Sequence, residues 1–308
     1  MEKNNILLVK KREPAFININ FTTLAFIMLF FMETSYYLLI LQTGIVEYFN
    51  SEISTIWVIP FGGVLGIVTM SKIKHRSIVV SISLFFQTLL MFFYPNFNSL
   101  MLFILGFLSG LIAPYLIYQL KSLNQIVIVL GLSYILGTFA INIIPENRGL
   151  LAIILSTIAL FSSYFVVPVT EKKIKKIGSK NYSEIFMWLV LDATLFETLS
   201  RSGVGIWKHE EFTMVIAIFH IVGLYIGYHL VKFKYNNLVI LTLFAISYIF
   251  FALNLPYLLA IVYPIVISYY NVIILKYFMS LLFEELTLVS LSLWISSGIG
   301  LSIALILT

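Results

Sequence analysis

Apolar runs of about 20 residues follow one another along this chain with almost nothing between them. A helix of that length spans the roughly 30 Å hydrocarbon core of a bilayer. In lipid every backbone N–H and C=O must be satisfied internally, so only α-helices and closed β-barrels can span. Barrel strands would read as short alternating segments, and the sequence has none. The chain is therefore expected to be an all-α polytopic membrane protein. Its charge content agrees: 11% of the 308 residues are charged, against about a quarter in soluble domains. With no cysteine, disulfides, thiol chemistry and cysteine-ligated metals are excluded. Met1 to Pro14 leads straight into a full-length span, without the short apolar core and small-residue site of a cleaved signal.

Eleven spans are expected, near 19–41, 54–71, 77–94, 98–119, 125–144, 149–170, 184–206, 212–231, 236–254, 256–276 and 284–306. The longest polar stretch between them runs from Glu171 to Ser183 and holds five lysines. It divides the chain into a six-helix half (1–170), a basic linker (171–183) and a five-helix half (184–308). With the N-terminus in the cytoplasm, sixteen of the nineteen lysines and arginines fall inside. Only Arg148 and Lys208 fall outside, and Arg201 lies within a span. The outer loops carry Glu47, Glu52, Glu146, Glu210 and Glu211 instead. This asymmetry is the positive-inside pattern. It predicts a multi-pass plasma-membrane protein with a cytoplasmic N-terminus and an external C-terminus. The net charge of +5 follows from that topology and calls for no nucleic-acid partner.

The halves resemble one another. Span one contains Phe31-Met32-Glu33-Thr34 and span seven Leu195-Phe196-Glu197-Thr198. An acidic outer loop follows each, then a glycine-bearing span with Gly62, Gly63 and Gly66 or with Gly223 and Gly227. Each of those ends in a basic loop, Lys72-Ile73-Lys74-His75-Arg76 or Lys232-Phe233-Lys234. A repeat of six spans preserves direction, which implies an axis along the membrane normal.

Six spans, a basic cytoplasmic linker and a second set resemble the major facilitator superfamily over nearly the whole chain. Gly66 to Arg76 loosely resembles the family's loop motif between spans two and three, without its aspartate. The resemblance implies two rocking halves and a central path lined by spans one, four, seven and ten.

Asp192, the single aspartate, lies in span seven with Glu197 and Arg201. A charge placed in hydrocarbon costs roughly 2.5–3.5 kcal/mol on insertion scales, so intramembrane ionisable groups mark sites by default. At about 100° per residue, Glu197 and Arg201 stand some 40° apart, while Asp192 lies about 140° from Glu197. Glu197 and Arg201 can pair along one face. Asp192 must find a partner on another helix, carry a proton or face water. These groups read either as proton- or cation-binding residues or as an intrahelical ion pair beside an interhelical hydrogen bond.

Glu33 has no basic residue in its own span, and Thr34, Ser35, Tyr36, Tyr37 and Gln42 continue a polar run. It reads as a site residue or as an interhelical hydrogen bond. Spans four and ten each carry a proline with aromatics: Pro114 with Tyr115 and Tyr118, and Pro264 with Tyr263, Tyr269, Tyr270 and Asn271. Tyr37, Tyr115, Tyr263 and Asn271 join Glu33, Asp192, Glu197 and Arg201 as candidates for binding substrate or protons. Asn142 is expected to join helices. Met28 and Met32 lie one turn apart, and with His220 they raise transition-metal transport as an alternative.

No nucleotide-binding loop, zinc-protease motif or nucleophile set is present, so neither an enzyme nor a cofactor is expected. The leading expectation is a proton-coupled secondary transporter of a small cationic or neutral solute, whose partners are the lipid bilayer and that solute or ion. The other expectation is a non-transporting subunit or assembly factor bound to other membrane subunits, for which the short loops and the missing loop aspartate speak.

Overall fold

The computed structural model describes residues 20–45, 57–142, 147–169, 182–202 and 205–307. The N-terminal basic residues, the loop with Glu47 and Glu52, Glu146 and the linker lysines lie outside those residues. Among the described residues there are eleven α-helices of fifteen residues or more and no strand, matching the span count. They are α1 (Phe21–Tyr36), α2 (Val58–Lys72), α3 (Arg76–Leu90), α4 (Ser99–Gln119), α5 (Leu123–Ile141) and α6 (Arg148–Ser163). The rest are α7 (Tyr182–Arg201), α8 (Thr213–Leu230), α9 (Asn236–Ala252), α10 (Pro256–Phe278) and α11 (Phe283–Leu307).

Polar residues punctuate this apolar chain where helices must start. The side chains of Asn20, Asn98 and Ser122 accept from Thr23 N, Met101 N and Gln125 N, satisfying orphan donors of α1, α4 and α5. Pro256 opens α10, where a missing N–H costs nothing. The turn from α4 to α5 is closed by Gln125, whose Oε1 accepts from Lys121 N at 2.8 Å.

Among the described residues, seven helices are long and apolar enough to cross a membrane: α1, α3, α4, α5, α8, α10 and α11, with short flanking turns counted for some. The apolar helices α2, α6 and α9 are shorter. The charged α7 is not among the seven. Large apolar side chains face outward, including Ile78, Ile82, Phe85 and Phe86 on α3 and Leu238 and Ile249 on α9. Continuous apolar surface of this kind is costly in water and is compatible with a multi-pass membrane protein.

The glycine-bearing helices make the tightest seams. A Cβ on Gly66 of α2 would stand 2.2 Å from the Phe107 carbonyl oxygen of α4, and one on Gly110 the same distance from that of Gly63. Gly62 and Gly66 of α2 and Gly106 and Gly110 of α4 thus all lie in this seam, letting two backbones touch as small-xxx-small motifs do. On α8, a Cβ on Gly223 would lie 2.5 Å from the Ile265 carbonyl oxygen of α10.

Among the described residues, the α2–α4, α8–α10 and α7–α11 pairs pack most extensively. Helix α3 also packs on α4, α9 on α10, and α1 on α5, while α6 lies on α1 and α3. Two further seams are α2 against α11 and α5 against α8. At the first, the indole of Trp294 covers Gly63 and that of Trp57 covers Gly298.

Candidate functional site

Helices α1, α4 and α5 face α7, α8, α10 and α11 across a cavity of about 360 Å³. Glu33 and Tyr37 of α1, Asp192 and Glu197 of α7 and Asn271 of α10 are on its wall. Five of the eight residues singled out in the sequence therefore meet at one place.

Asp192 finds its partners on α10. Tyr263 donates to Oδ1 at 2.9 Å and Tyr270 to Oδ2 at 2.5 Å. The two tyrosines are seven residues apart, so two helical turns bring both to one face. Tyr263 also donates to the Asp192 carbonyl at 3.1 Å, and Tyr248 of α9 to that of Leu191 at 2.8 Å. Trp207, in the turn after α7, stacks on Tyr263 with centroids 5.6 Å apart. Tyr263 itself is fully buried behind the wall.

Glu197 and Arg201 form the expected pair within α7, at 3.4 Å. Glu197 lines the cavity and Arg201 does not. Glu33 pairs across helices instead: its Oε2 accepts from Gln87 Nε2 of α3 at 2.8 Å. Tyr115 is buried within α4 and is not on the cavity wall.

A second network joins three helices. Asn271 donates to the Tyr134 hydroxyl of α5 at 2.9 Å and to the Ile267 carbonyl at 3.0 Å. Tyr134 stacks on His220 of α8 with centroids 4.3 Å apart and planes at 17°. His220 Nδ1 meets the Ser268 hydroxyl of α10 at 2.8 Å. Nearby, Asn142 donates to the Thr213 hydroxyl of α8, the joining role its polarity suggested. Tyr134, Gln87 and Trp207 were not legible as site residues. The signal that existed was indirect: a sole intramembrane aspartate needs hydroxyl donors, and α10 is rich in tyrosine.

After Tyr36, α1 widens into a π-helical segment, Tyr37–Gly44. The hydroxyl of Thr43 donates to the Leu38 and Leu39 carbonyls at 2.8 and 3.0 Å, adding side-chain bonds to this segment. Tyr37, Leu38, Leu41 and Gln42 of this segment line the cavity, in keeping with the frequent placement of π turns at functional sites.

The cavity is unlike at its two ends. Toward the C-terminal ends of α4 and α10 the wall is Leu116, Ile117, Leu275 and Phe278, all buried. Beyond lie Tyr118 edge-on to Phe283, with centroids 5.2 Å apart, and the Arg76 guanidinium 3.5 Å from the Phe283 centroid. At the opposite end Gln42, Thr138, Asn142 and Trp207 line it and are half-buried.

No family model matches the chain, and no curated protein matches it in sequence. The site's chemistry therefore has to be read from its own residues. Among the described residues, no group of three or more His, Asp or Glu could hold a metal. Met28 and Met32 do not line the cavity, and His220 is engaged by Ser268 and Tyr134.

Proposed function

We propose that the chain is a secondary membrane transporter that moves a small cationic or neutral solute by alternating access, coupled to protons. The observation that carries this reading is a cavity between two helix groups with carboxyl groups on its wall, Glu33 from one group and Asp192 and Glu197 from the other. In a membrane-spanning protein, such groups serve ion and proton pathways by default.

The packing order supports two related halves of the kind found in the major facilitator superfamily. Raising each helix number by six turns α2–α4 into α8–α10, α3–α4 into α9–α10 and α1–α5 into α7–α11, and all six pairs are packed. The seams between the groups, α2–α11 and α5–α8, exchange under the same relation. Helix α6 has no counterpart among the described residues. Substrate sites at repeat interfaces and rocking of one repeat against another belong to this architecture. An apolar closure at one end of the cavity and polar, half-buried residues at the other suit one state of such a cycle.

Motion at the two ends tests the proposal without a known substrate, and the cysteine-free chain allows clean spin labelling. One pair, Asn98→Cys with Leu255→Cys, reports on the N-terminal ends of α4 and α10. Another, Lys121→Cys with Ser280→Cys, reports on their C-terminal ends. In lipid nanodiscs, pulsed electron resonance should give two distance populations at each end. Asp192→Asn should shift them in opposite directions. One fixed distance at both ends, unmoved by the substitution, would exclude alternating access.

A further inference from the structure

We infer that the cavity is built for an organic cation of the amine or quaternary-ammonium class, held by the Asp192 and Glu197 carboxylates and by surrounding aromatic faces. This rests on the reading of the cavity as the substrate site.

The sign of the wall comes first. Three carboxyl groups line the cavity and no lysine or arginine does, among the described residues. Arg201, the nearest candidate to offset them, is drawn to Glu197 at 3.4 Å and stays off the wall. With Glu197 offset by Arg201, an anion would still meet the carboxyl groups of Asp192 and Glu33 in a medium that screens poorly.

The aromatic lining comes second. Tyr37, Tyr134, Phe196, Trp207, Tyr270 and Trp294 all contribute to the wall. Aromatic faces attract cations through the ring quadrupole, tryptophan most strongly, and the gain grows as water is excluded. Tyr270 commits its proton to Asp192 at 2.5 Å, so its hydroxyl is not free to donate to a ligand. The two oxygens of Asp192 have about four acceptor sites, and with two taken by tyrosines the carboxylate can still meet an ammonium group.

Size argues against a bare inorganic ion. A volume of about 360 Å³ is near the lower end for small-molecule sites and too large for a dehydrated inorganic ion.

The test is calorimetric titration of the full-length protein in nanodiscs with three probes that share a benzyl group. Benzyltrimethylammonium carries a cation, phenylacetamide is neutral and phenylacetate is an anion. The cation should bind saturably and at least tenfold more tightly than either of the others. Asp192→Asn or Glu197→Gln should weaken it at least tenfold, and Trp294→Leu about threefold or more. The comparison of probes on the wild-type chain needs no variant and stands even where a variant fails to fold. Equal binding of the neutral or anionic probe, or no saturable binding of the cation up to millimolar concentration, would overturn the inference. Cation selectivity without motion at the cavity ends would remove the carrier reading alone. Motion without cation selectivity would remove the substrate class alone.

Discussion

Glu33 on α1 and Glu197 on α7 sit in matching sequence contexts, each followed by threonine, yet the fold gives them unlike partners. Glu33 accepts from an amide on another helix, Gln87 of α3, while Glu197 pairs with Arg201 one turn along its own helix. The position five residues before each glutamate differs as well: Met28 in α1 and Asp192 in α7. The second group thus concentrates charge, with Asp192, Glu197 and Arg201 on one helix and tyrosines of α10 gathered around the aspartate. The first contributes a single acid. The seams differ in the same sense: α2 and α4 bring glycines to both sides of their contact, whereas at α8–α10 the glycines Gly223 and Gly227 lie on α8. The matching sequence contexts of the two glutamates therefore do not extend to their polar partners.

The largest expected effect is at the seams. Gly66→Leu drives a side chain into the backbone of α4, where Phe107 O would be 2.2 Å from its Cβ, and should prevent folding or lower Tm drastically in detergent. Gly227→Leu meets the Val272 side chain first, at 2.9 Å, and should cost about 1–3 kcal/mol, as overpacking does. Equal losses in thermal melts would erase the distinction between the seams.

Next is the pair of acids. Gln87→Leu removes the donor that Glu33 has among the described residues and should cost about 1–3 kcal/mol, the cost of a buried polar group left unpaired. Tyr270→Phe should cost less, because Asp192 keeps Tyr263. A larger loss for Tyr270→Phe would reverse the order of dependence between the groups. The smallest effect is expected at Thr43→Val, about 0.5–1.5 kcal/mol for the hydroxyl that closes the widened end of α1. A change in cavity binding larger than that stability loss would show that the π segment shapes the site directly.

The number and position of the helices were legible because bilayer thickness fixes span length. The glycines of spans two and eight were read only as marks of a repeat, and the seams they form with α4 and α10 depend on how those helices dock. The Glu197–Arg201 pair followed from four-residue spacing on a helix. The partners of Asp192 did not follow, since Tyr263 and Tyr270 reach it only through the docking of α10 on α7. Tyr115 was grouped with the site because it follows Pro114, but the rotation of α4 that buries it is set by packing against neighbours. The stacking of Tyr134 on His220 depends on α5 meeting α8 at one depth, which no local pattern encodes. The widening of α1 was equally hidden, because a threonine at position 43 is unremarkable until the carbonyls it caps are seen.

Proton flux accompanying cation movement tests the coupled carrier most directly. Proteoliposomes holding a pH-sensitive dye and the full-length chain would be given external benzyltrimethylammonium. A coupled carrier gives saturable uptake with a proton signal of matching kinetics, and both vanish in Glu33→Gln and Asp192→Asn proteins that insert and melt like the wild type. Uptake and proton signal unchanged in both variants would contradict the assignment of coupling to these acids.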